Sequence, residues 1–275
     1  MYRLIETILF FQKNINKNKL HTALTGKSIL ITGASSGIGE QVAYQLADIP
    51  CQLILVARRG ERLAEIKEKI EPKGAKVTFF QGDLRDEAEM KRFLTFLHDL
   101  PTDLDFVVNN AGLSIKRSLY ESFDRYHDFT RTMAINYFAP VQLLLSLIPV
   151  LEKQRGHIIN VSTVNALLAP VPYFSAYQAS KSAFDVWLRS AQPELKSQGI
   201  SVTSIYLPLV RTPMIEPTAA YRNIPAMISS DAARIICKSM YTKKKRYQPW
   251  WLIFGQLVSI FLTSFWDMSK NNRRK

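Results

Sequence analysis

Cysteine and histidine are scarce in this chain of 275 residues: two cysteines, Cys51 and Cys237, and four histidines, His21, His98, His127 and His157. Two cysteines cannot build a disulfide framework, and their apolar surroundings read as reduced core thiols in a reducing compartment. No CxxC pair and no His/Cys cluster has ligand spacing, so no metal is expected. Acidic residues are also in short supply, 23 Asp and Glu against 36 Lys and Arg, a formal net charge of +13. That excess points to an anionic partner. Nucleic acid is not expected, because no recognition helix or platform of interleaved aromatic and basic residues stands out. With 47% hydrophobic and 21% charged residues, global disorder is excluded and one large core can be built.

Part of the positive charge gathers at the ends. Lys13, Lys17 and Lys19 follow a short apolar stretch, residues 1–11, while Lys243–Arg246 and Lys270–Lys275 flank another, residues 249–266. The first stretch has the wrong charge order for a signal peptide and reads as an amphipathic arm, structural or membrane-touching. The second, PWWLIFGQLVSIFLTSFW, is 18 residues without a charge, the short end of a membrane span. Trp250, Trp251 and Trp266 stand at its two ends, where interfacial aromatics belong. The segment can span a bilayer, lie on it as a monotopic anchor, or form a buried C-terminal helix. Basic clusters beside apolar segments favour an anionic membrane surface, and the protein is expected on its cytoplasmic side, membrane-associated.

Between the ends, apolar runs of strand length begin at Ser28, Leu53, Val77, Phe106, Ile158 and Ser201. Helical spacing separates them, as in Ile38, Val42 and Leu46 or Met90, Phe93, Leu94 and Leu97, and longer helices are predicted near residues 129–151 and 176–195. This alternation predicts an α/β fold, a Rossmann-type doubly wound parallel sheet with helices on both faces. One catalytic domain is expected over residues 26–240, with an N-terminal arm over 1–25 and a basic, apolar tail over 241–275. After Leu207 the alternation stops at Pro208, Pro213, Pro217 and Pro225, a loop-rich stretch suited to covering a site at the C-terminal strand edge. A helix is predicted from Ser230-Asp231 to about Met240, with Ser230 as its N-cap.

The sequence Thr32-Gly-Ala-Ser-Ser-Gly-Ile-Gly39 lies between the first strand and the first helix of the sheet. Gly33 suits a tight turn, Gly37 a close approach of backbone to a diphosphate, and Gly39 close packing of the helix; the free N–H groups of the helix start attract the anion. Gly33, Ser35, Ser36, Gly37, Ile38 and Gly39 are therefore candidate cofactor contacts. The second strand ends in Val56-Ala-Arg-Arg59, where an acid would bind a ribose 2′-hydroxyl. Arg58 and Arg59 instead suit a 2′-phosphate, which argues for NADP(H). Further on, Tyr177 and Lys181 stand four apart in a helical stretch, on one face. A cation there favours the phenolate and would lower the phenol pKa, so that Tyr177 can exchange a proton with a carbonyl or alcohol oxygen.

Taken with GDL at Gly82–Leu84, NNAG at Asn109–Gly112, Asn136 in AINYFAP and NVST at Asn160–Thr163, these motifs resemble those of the short-chain dehydrogenase/reductase family over residues 26–212. The resemblance implies an oxidoreductase in which Asp83 and Leu84 lie near the adenine, and Asn110 and Ala111 along the cofactor ribose. Asn136 would hold a relay water with Lys181, Lys181 would also bind the nicotinamide ribose, and Val210 and Thr212 would contact the carboxamide. It also implies a homo-oligomer built on the two long helices.

Two positions depart from the family pattern. The substrate-polarising serine belongs thirteen residues before the tyrosine, where this chain has Val164; Thr163 and Ser162 lie one and two residues further back, and Thr163 is slightly favoured for the role. Leu207-Pro208-Leu209 replaces the usual Pro-Gly. The stretch from Leu207 to Thr218 is similar to reductases of long-chain acyl or ketoacyl substrates. The expected function is reduction of a lipid-like carbonyl, ketoacyl, fatty-acyl or sterol. An NADP-dependent alcohol dehydrogenase and a non-catalytic scaffold of the same fold are the alternatives.

Overall fold

The computed structural model describes residues 2–10, 14–101, 103–216, 218, 221 and 223–271, the side chains of 2–5 and 262–271 excepted. Lys13, Pro217 and residues 272–275, which figure in the readings above, lie outside the described residues, as does the side chain of Trp266.

Six strands form the sheet's body: β1 (Ser28–Thr32), β2 (Gln52–Ala57), β3 (Lys76–Gln81), β4 (Phe106–Asn109), β5 (His157–Thr163) and β6 (Ser201–Leu207). Short strands β7 (Val210–Arg211) and β8 (Met227–Ile228) make a separate parallel pair. A last strand, β9 (Arg246–Tyr247), adds to β6, giving a seven-stranded parallel sheet in the order β3-β2-β1-β4-β5-β6-β9. The chain returns from the β3 edge to the sheet's middle at β4, so the order reverses between β1 and β4. A crevice opens at such a switch point, outside the C-terminal strand ends.

The helices are α1 (Tyr2–Leu9), α2 (Lys17–Leu24), α3 (Gly37–Gln45), α4 (Gly60–Ile70), α5 (Glu87–His98), α6 (Tyr126–Met133), α7 (Ala139–Gln154), α8 (Ser175–Ser197), α9 (Ser229–Thr242) and α10 (Leu252–Asn271). A π-turn, Ala134–Phe138, joins α6 to α7. Residues of one strand alternate between two cores, as the pleat requires. Ile29 and Ile31 pack with Val42, Leu63 and Ile236 of α3, α4 and α9. Leu30 packs with Phe93, Leu147 and Phe184 of α5, α7 and α8. Among the described residues one helical run, Tyr126–Gln154, is long and apolar enough to cross a membrane. It buries Leu143, Leu144, Leu147 and Leu151 against the sheet and is a core helix.

Three details differ from the sequence reading. The stretch assigned to the tail contributes β9, whose two residues are too few to show periodicity. Ser230 is not an N-cap: α9 starts at Ser229 and Ile228 is held extended before it by its β8 pairing with Arg211. The N-terminal arm also enters the core, since α2 buries Leu20 and Leu24 and Asn16 N–H donates to the Tyr241 hydroxyl at 3.2 Å. Both Cys51 and Cys237 are buried and unpaired, and burial pushes each thiol up to about 12.

Candidate active site

The loop after β1 is shaped by backbone demands that only glycine meets. Gly33 has φ +68°, and a Cβ there would lie 2.9 Å from Ala111 Cα. A Cβ on Gly39 would lie 2.5 Å from the Gly33 carbonyl oxygen, so the first turn of α3 is pressed onto the loop itself. Gly37 faces Thr212, whose Cγ2 would be 3.0 Å from an added Cβ. Thr32, not singled out by sequence, joins this loop to the NNAG segment: its hydroxyl accepts Asn110 N–H at 3.0 Å and Ala111 N–H at 2.9 Å. The Asn110 side chain returns a bond to the Thr32 carbonyl at 2.9 Å. Ser35, Ser36 and Ile38 line the cavity above, before the unsatisfied N–H groups of α3.

At the end of β2, Arg59 donates to Ser35 Oγ from Nε at 3.3 Å and from a terminal nitrogen at 3.1 Å. Arg58 is exposed beside it. Asp83, after β3, is gripped by Arg85, whose Nε donates to Oδ1 at 2.9 Å. This hydrogen bond, against the opposing effect of burial, holds the Asp83 carboxyl below its usual range. Arg58, Arg59, Asp83, Leu84 and Arg85 all line the cavity. Arg85 was missed by sequence; its signal was its place two residues after Asp83. A glycine cradle, a helix start and three guanidinium groups make this half fit for a dinucleotide bearing an extra phosphate.

Tyr177 and Lys181 stand one turn apart on α8, and both line the cavity. Lys181 is buried, its Nζ donates to the Val161 carbonyl at 3.4 Å, and burial brings the ammonium down to about 8. Burial pushes the Tyr177 phenol up, and a hydrogen bond from Thr163 opposes it. Thr163 ends β5, and its hydroxyl acts on Tyr177. Ser162 lies beside it, its buried Oγ without a hydrogen-bond partner among the described residues, and Val164 opens the following turn.

Asn136 sits in the π-turn and is fully buried. Its Nδ2 donates to the Leu113 carbonyl and to Ser180 Oγ, each at 2.9 Å, while its Oδ1 accepts Leu113 N–H at 3.0 Å. Gly112 permits this crowding: an added Cβ would be 3.0 Å from Asn136 Oδ1 and 3.3 Å from Lys181 Nζ. Gln178, next to Tyr177, pins the loop after β5 by donating to the carbonyls of Asn165 at 2.8 Å and Leu168 at 3.1 Å, and by accepting Val171 N–H at 2.8 Å.

The other half of this cavity of about 930 Å³ is mostly apolar, with Leu113, Ile115, Val171, Phe174, Met214 and Ile224 on its walls. Leu207-Pro208-Leu209, Val210 and Thr212 also line it. Both chain ends hold its rim. From α10, Gln256 Nε2 donates to the Leu167 carbonyl at 3.0 Å and Ser259 Oγ accepts Ala169 N–H at 3.1 Å. From α1, Glu6 accepts from Arg211 and from Ala226 N–H, the latter at 3.1 Å. Trp250 Nε1 donates to the Ile8 carbonyl at 3.2 Å, bringing the two ends together. The outer face of α10 exposes Ile253, Phe254, Leu257, Val258, Ile260 and Phe261.

The profile of the family described as short chain dehydrogenase matches residues 27–223. A fatty acyl-CoA reductase of Acinetobacter baylyi is 44% identical over 236 residues, covering 86% of this chain and 79% of that one. A hydroxysteroid 11-beta-dehydrogenase 1-like protein of Gallus gallus is 33% identical over 236 residues, 83% and 80% of the two chains. The solved structure of a metagenomic short-chain oxidoreductase in complex with NADP superposes with a TM-score of 0.70 at 25% identity, over 82% of this chain and 97% of that one.

Proposed function

The chain belongs to the short-chain dehydrogenase/reductase family of oxidoreductases, and from that footing we propose that it is an NADP(H)-dependent reductase of a long-chain carbonyl, a fatty acyl thioester before a ketoacyl or sterol ketone. The observation that carries this reading is the placing of Tyr177 and Thr163 between an arginine-bearing nucleotide cradle and an apolar pocket. The glycines that would clash on gaining a Cβ fit the close approach of a dinucleotide, and Arg58 and Arg59 fit its 2′-phosphate. When bound, NADPH would supply hydride to the carbonyl carbon; with a thioester, hydride and proton together give a hemithioacetal, whose C–S bond then breaks as its hydroxyl proton passes to sulfur, releasing the aldehyde and the coenzyme A thiol.

The chain's own groups do the rest. Burial keeps the Tyr177 phenol protonated near neutrality, as a proton donor to the substrate oxygen must be. The Thr163 hydroxyl donates to that same oxygen and polarises it. Lys181, a cation below about pH 8, favours the phenolate that proton donation leaves. Asn136 fixes α8 through Ser180, and its Oδ1, which accepts one N–H from Leu113, keeps a second acceptor lone pair. The names of the fatty acyl-CoA reductase and hydroxysteroid relatives support a lipid-like substrate.

The exposed apolar face of α10 lies next to the rim of the pocket, and an enzyme resting on the cytoplasmic side of a membrane would meet lipid there. Exposed Phe138 in the π-turn, Leu145 of α7 and Val186 of α8 suit the oligomer that the family resemblance implies. The deciding experiment follows NADPH oxidation by absorbance against palmitoyl-CoA, a long-chain ketoacyl thioester and a sterol ketone in detergent. Turnover on one of these that vanishes in Tyr177→Phe, with NADPH still bound, is expected. Turnover that persists in Tyr177→Phe overturns the reading.

A further inference from the structure

The cavity wall carries a second group of cations that the nucleotide cradle does not use. Lys116, Arg117 and Arg131 line it, and Asp83, paired to Arg85, is the lone carboxylate among the described lining residues. Lys116 and Arg117 follow Gly112 by a few residues, beside Tyr173 and Tyr221 of the substrate half. Three contacts hold them there. Arg117 N–H donates to the Tyr173 carbonyl at 2.8 Å, in the loop before α8, and Lys116 Nζ stands 6.0 Å and 5.9 Å from the ring centres of Tyr173 and Tyr221.

The local charge balance leaves a surplus. Asp128 is buried behind two of these arginines, and three guanidinium groups share it: Arg117 at 3.0 Å, Arg125 at 3.2 Å and Arg131 at 2.6 Å. Burial opposes its ionisation, but the Arg125 hydrogen bond and the charges of Arg131 and Arg117 outweigh that and hold the carboxyl low. One anion against three cations leaves two positive charges, to which Lys116 adds a third with no carboxylate partner among the described residues. Of the nearby acids, Glu121 caps its own short turn and neither it nor Asp124 lines the cavity. Arg131 Nε is buried without an acceptor among the described residues, which leaves a donor unmet in the cavity wall.

Tyr173, beneath Lys116, has φ +69°, a backbone conformation that tyrosine rarely adopts, and the residue is 56% exposed. Strain of this kind persists where the surroundings over-determine it, often at binding clamps. A ligand with several phosphates and a flat base would meet Lys116, Arg117 and Arg131 through the phosphates and Tyr173 through the base. The apolar pocket beside them takes a chain.

We propose that Lys116, Arg117 and Arg131 form the site for the phosphates of the coenzyme A moiety of an acyl thioester substrate, at the mouth of the pocket that takes its acyl chain. The inference rests on the reductase reading above and deepens it, since a sterol ketone or a free aldehyde has no use for this site.

Lys116→Glu is the primary variant, because Lys116 supports no buried carboxylate. Its KM for palmitoyl-CoA is expected to rise at least tenfold relative to its KM for S-palmitoyl pantetheine, which lacks the nucleotide. Adenosine 3′,5′-bisphosphate should compete with palmitoyl-CoA in the native enzyme and lose at least tenfold in potency in the variant. Calorimetry with NADPH separates this site from the cradle: a parallel loss of NADPH affinity would overturn the assignment. Sedimentation with phosphatidylglycerol vesicles separates CoA from lipid headgroups: lost vesicle binding with an unmoved KM ratio would also overturn it. Calorimetry with coenzyme A alone reads the site without turnover. A native protein that binds coenzyme A but reduces none of the carbonyls keeps the site and sinks the reductase reading. A native protein that reduces palmitoyl pantetheine as readily as palmitoyl-CoA keeps the reductase reading and sinks the site.

Discussion

Asn136 donates from Nδ2 to Ser180 Oγ at 2.9 Å, tying the π-turn of one long helix to the helix that carries Tyr177 and Lys181. Ser180 in turn donates to the Tyr177 carbonyl at 2.8 Å, so the bond reaches the backbone of the proton donor. Asn136→Ala would leave the half-buried Leu113 N–H and carbonyl without their partner. The expected cost is about 1–3 kcal/mol of stability, read by denaturant midpoint. A loss in kcat of about tenfold or more should accompany it, with NADPH affinity largely kept. A stable variant with native kcat would show that the carboxamide neither positions nor relays.

Thr163 and Ser162 separate the two candidates for the polarising hydroxyl. Thr163→Val keeps shape and removes the hydroxyl that acts on Tyr177, and kcat should fall by about 10²–10³, the usual effect of losing one such donor. Ser162→Ala removes an Oγ without a described partner and should change kcat by only a few-fold. The reverse ranking would move the role to Ser162.

Lys181 sets a pH limit. Burial brings its ammonium down to about 8, so the cation is present below that value and lost above it. In the reductive direction kcat/KM should therefore be level near neutrality and decline as pH rises through about 8. Lys181→Arg, whose charge does not titrate there, should weaken that limb. A profile level to pH 9.5 in the native enzyme would detach the lysine from the proton transfer.

His157 makes the fold sensitive to acid. It is buried as the first residue of β5, bonded to Thr203 Oγ1 at 2.8 Å, and burial brings its pKa down to about 3. Between about 3 and the ordinary histidine value the unfolded chain binds a proton that the folded chain refuses, so stability rises with pH across that window and is lost as pH falls through it. The slope from this group is at most about 1.4 kcal/mol per pH unit. His157→Gln should flatten the dependence of the urea midpoint between pH 6.5 and 4; an unchanged slope would assign acid sensitivity to the carboxylates.

The body of the sheet was legible because buried parallel strands are apolar runs, and six of them could be counted between helices of clear period. β9 was not, since two residues have no period. Ser230 misled because its type suits a cap, whereas the cap was decided by the pairing of Ile228 with Arg211, a contact distant in sequence. The nucleotide loop announced itself by glycine spacing, and Thr163 was reached only by counting back from Tyr177. Lys116, Arg117 and Arg131 left no motif at all: their meaning arises from Asp128, Tyr173 and Tyr221, which the fold assembles around them. The rim residues of α1 and α10 were invisible for the same reason, as their partners stand up to 242 positions away.

The clasp between Ile8 and Trp250, with Glu6 reaching Arg211 and Ala226, assigns the two extremities of the polypeptide to the substrate half of the molecule. Changes near either end can therefore reshape the entrance while the dinucleotide half between them stays as it is. Selectivity and cofactor use become separately variable traits.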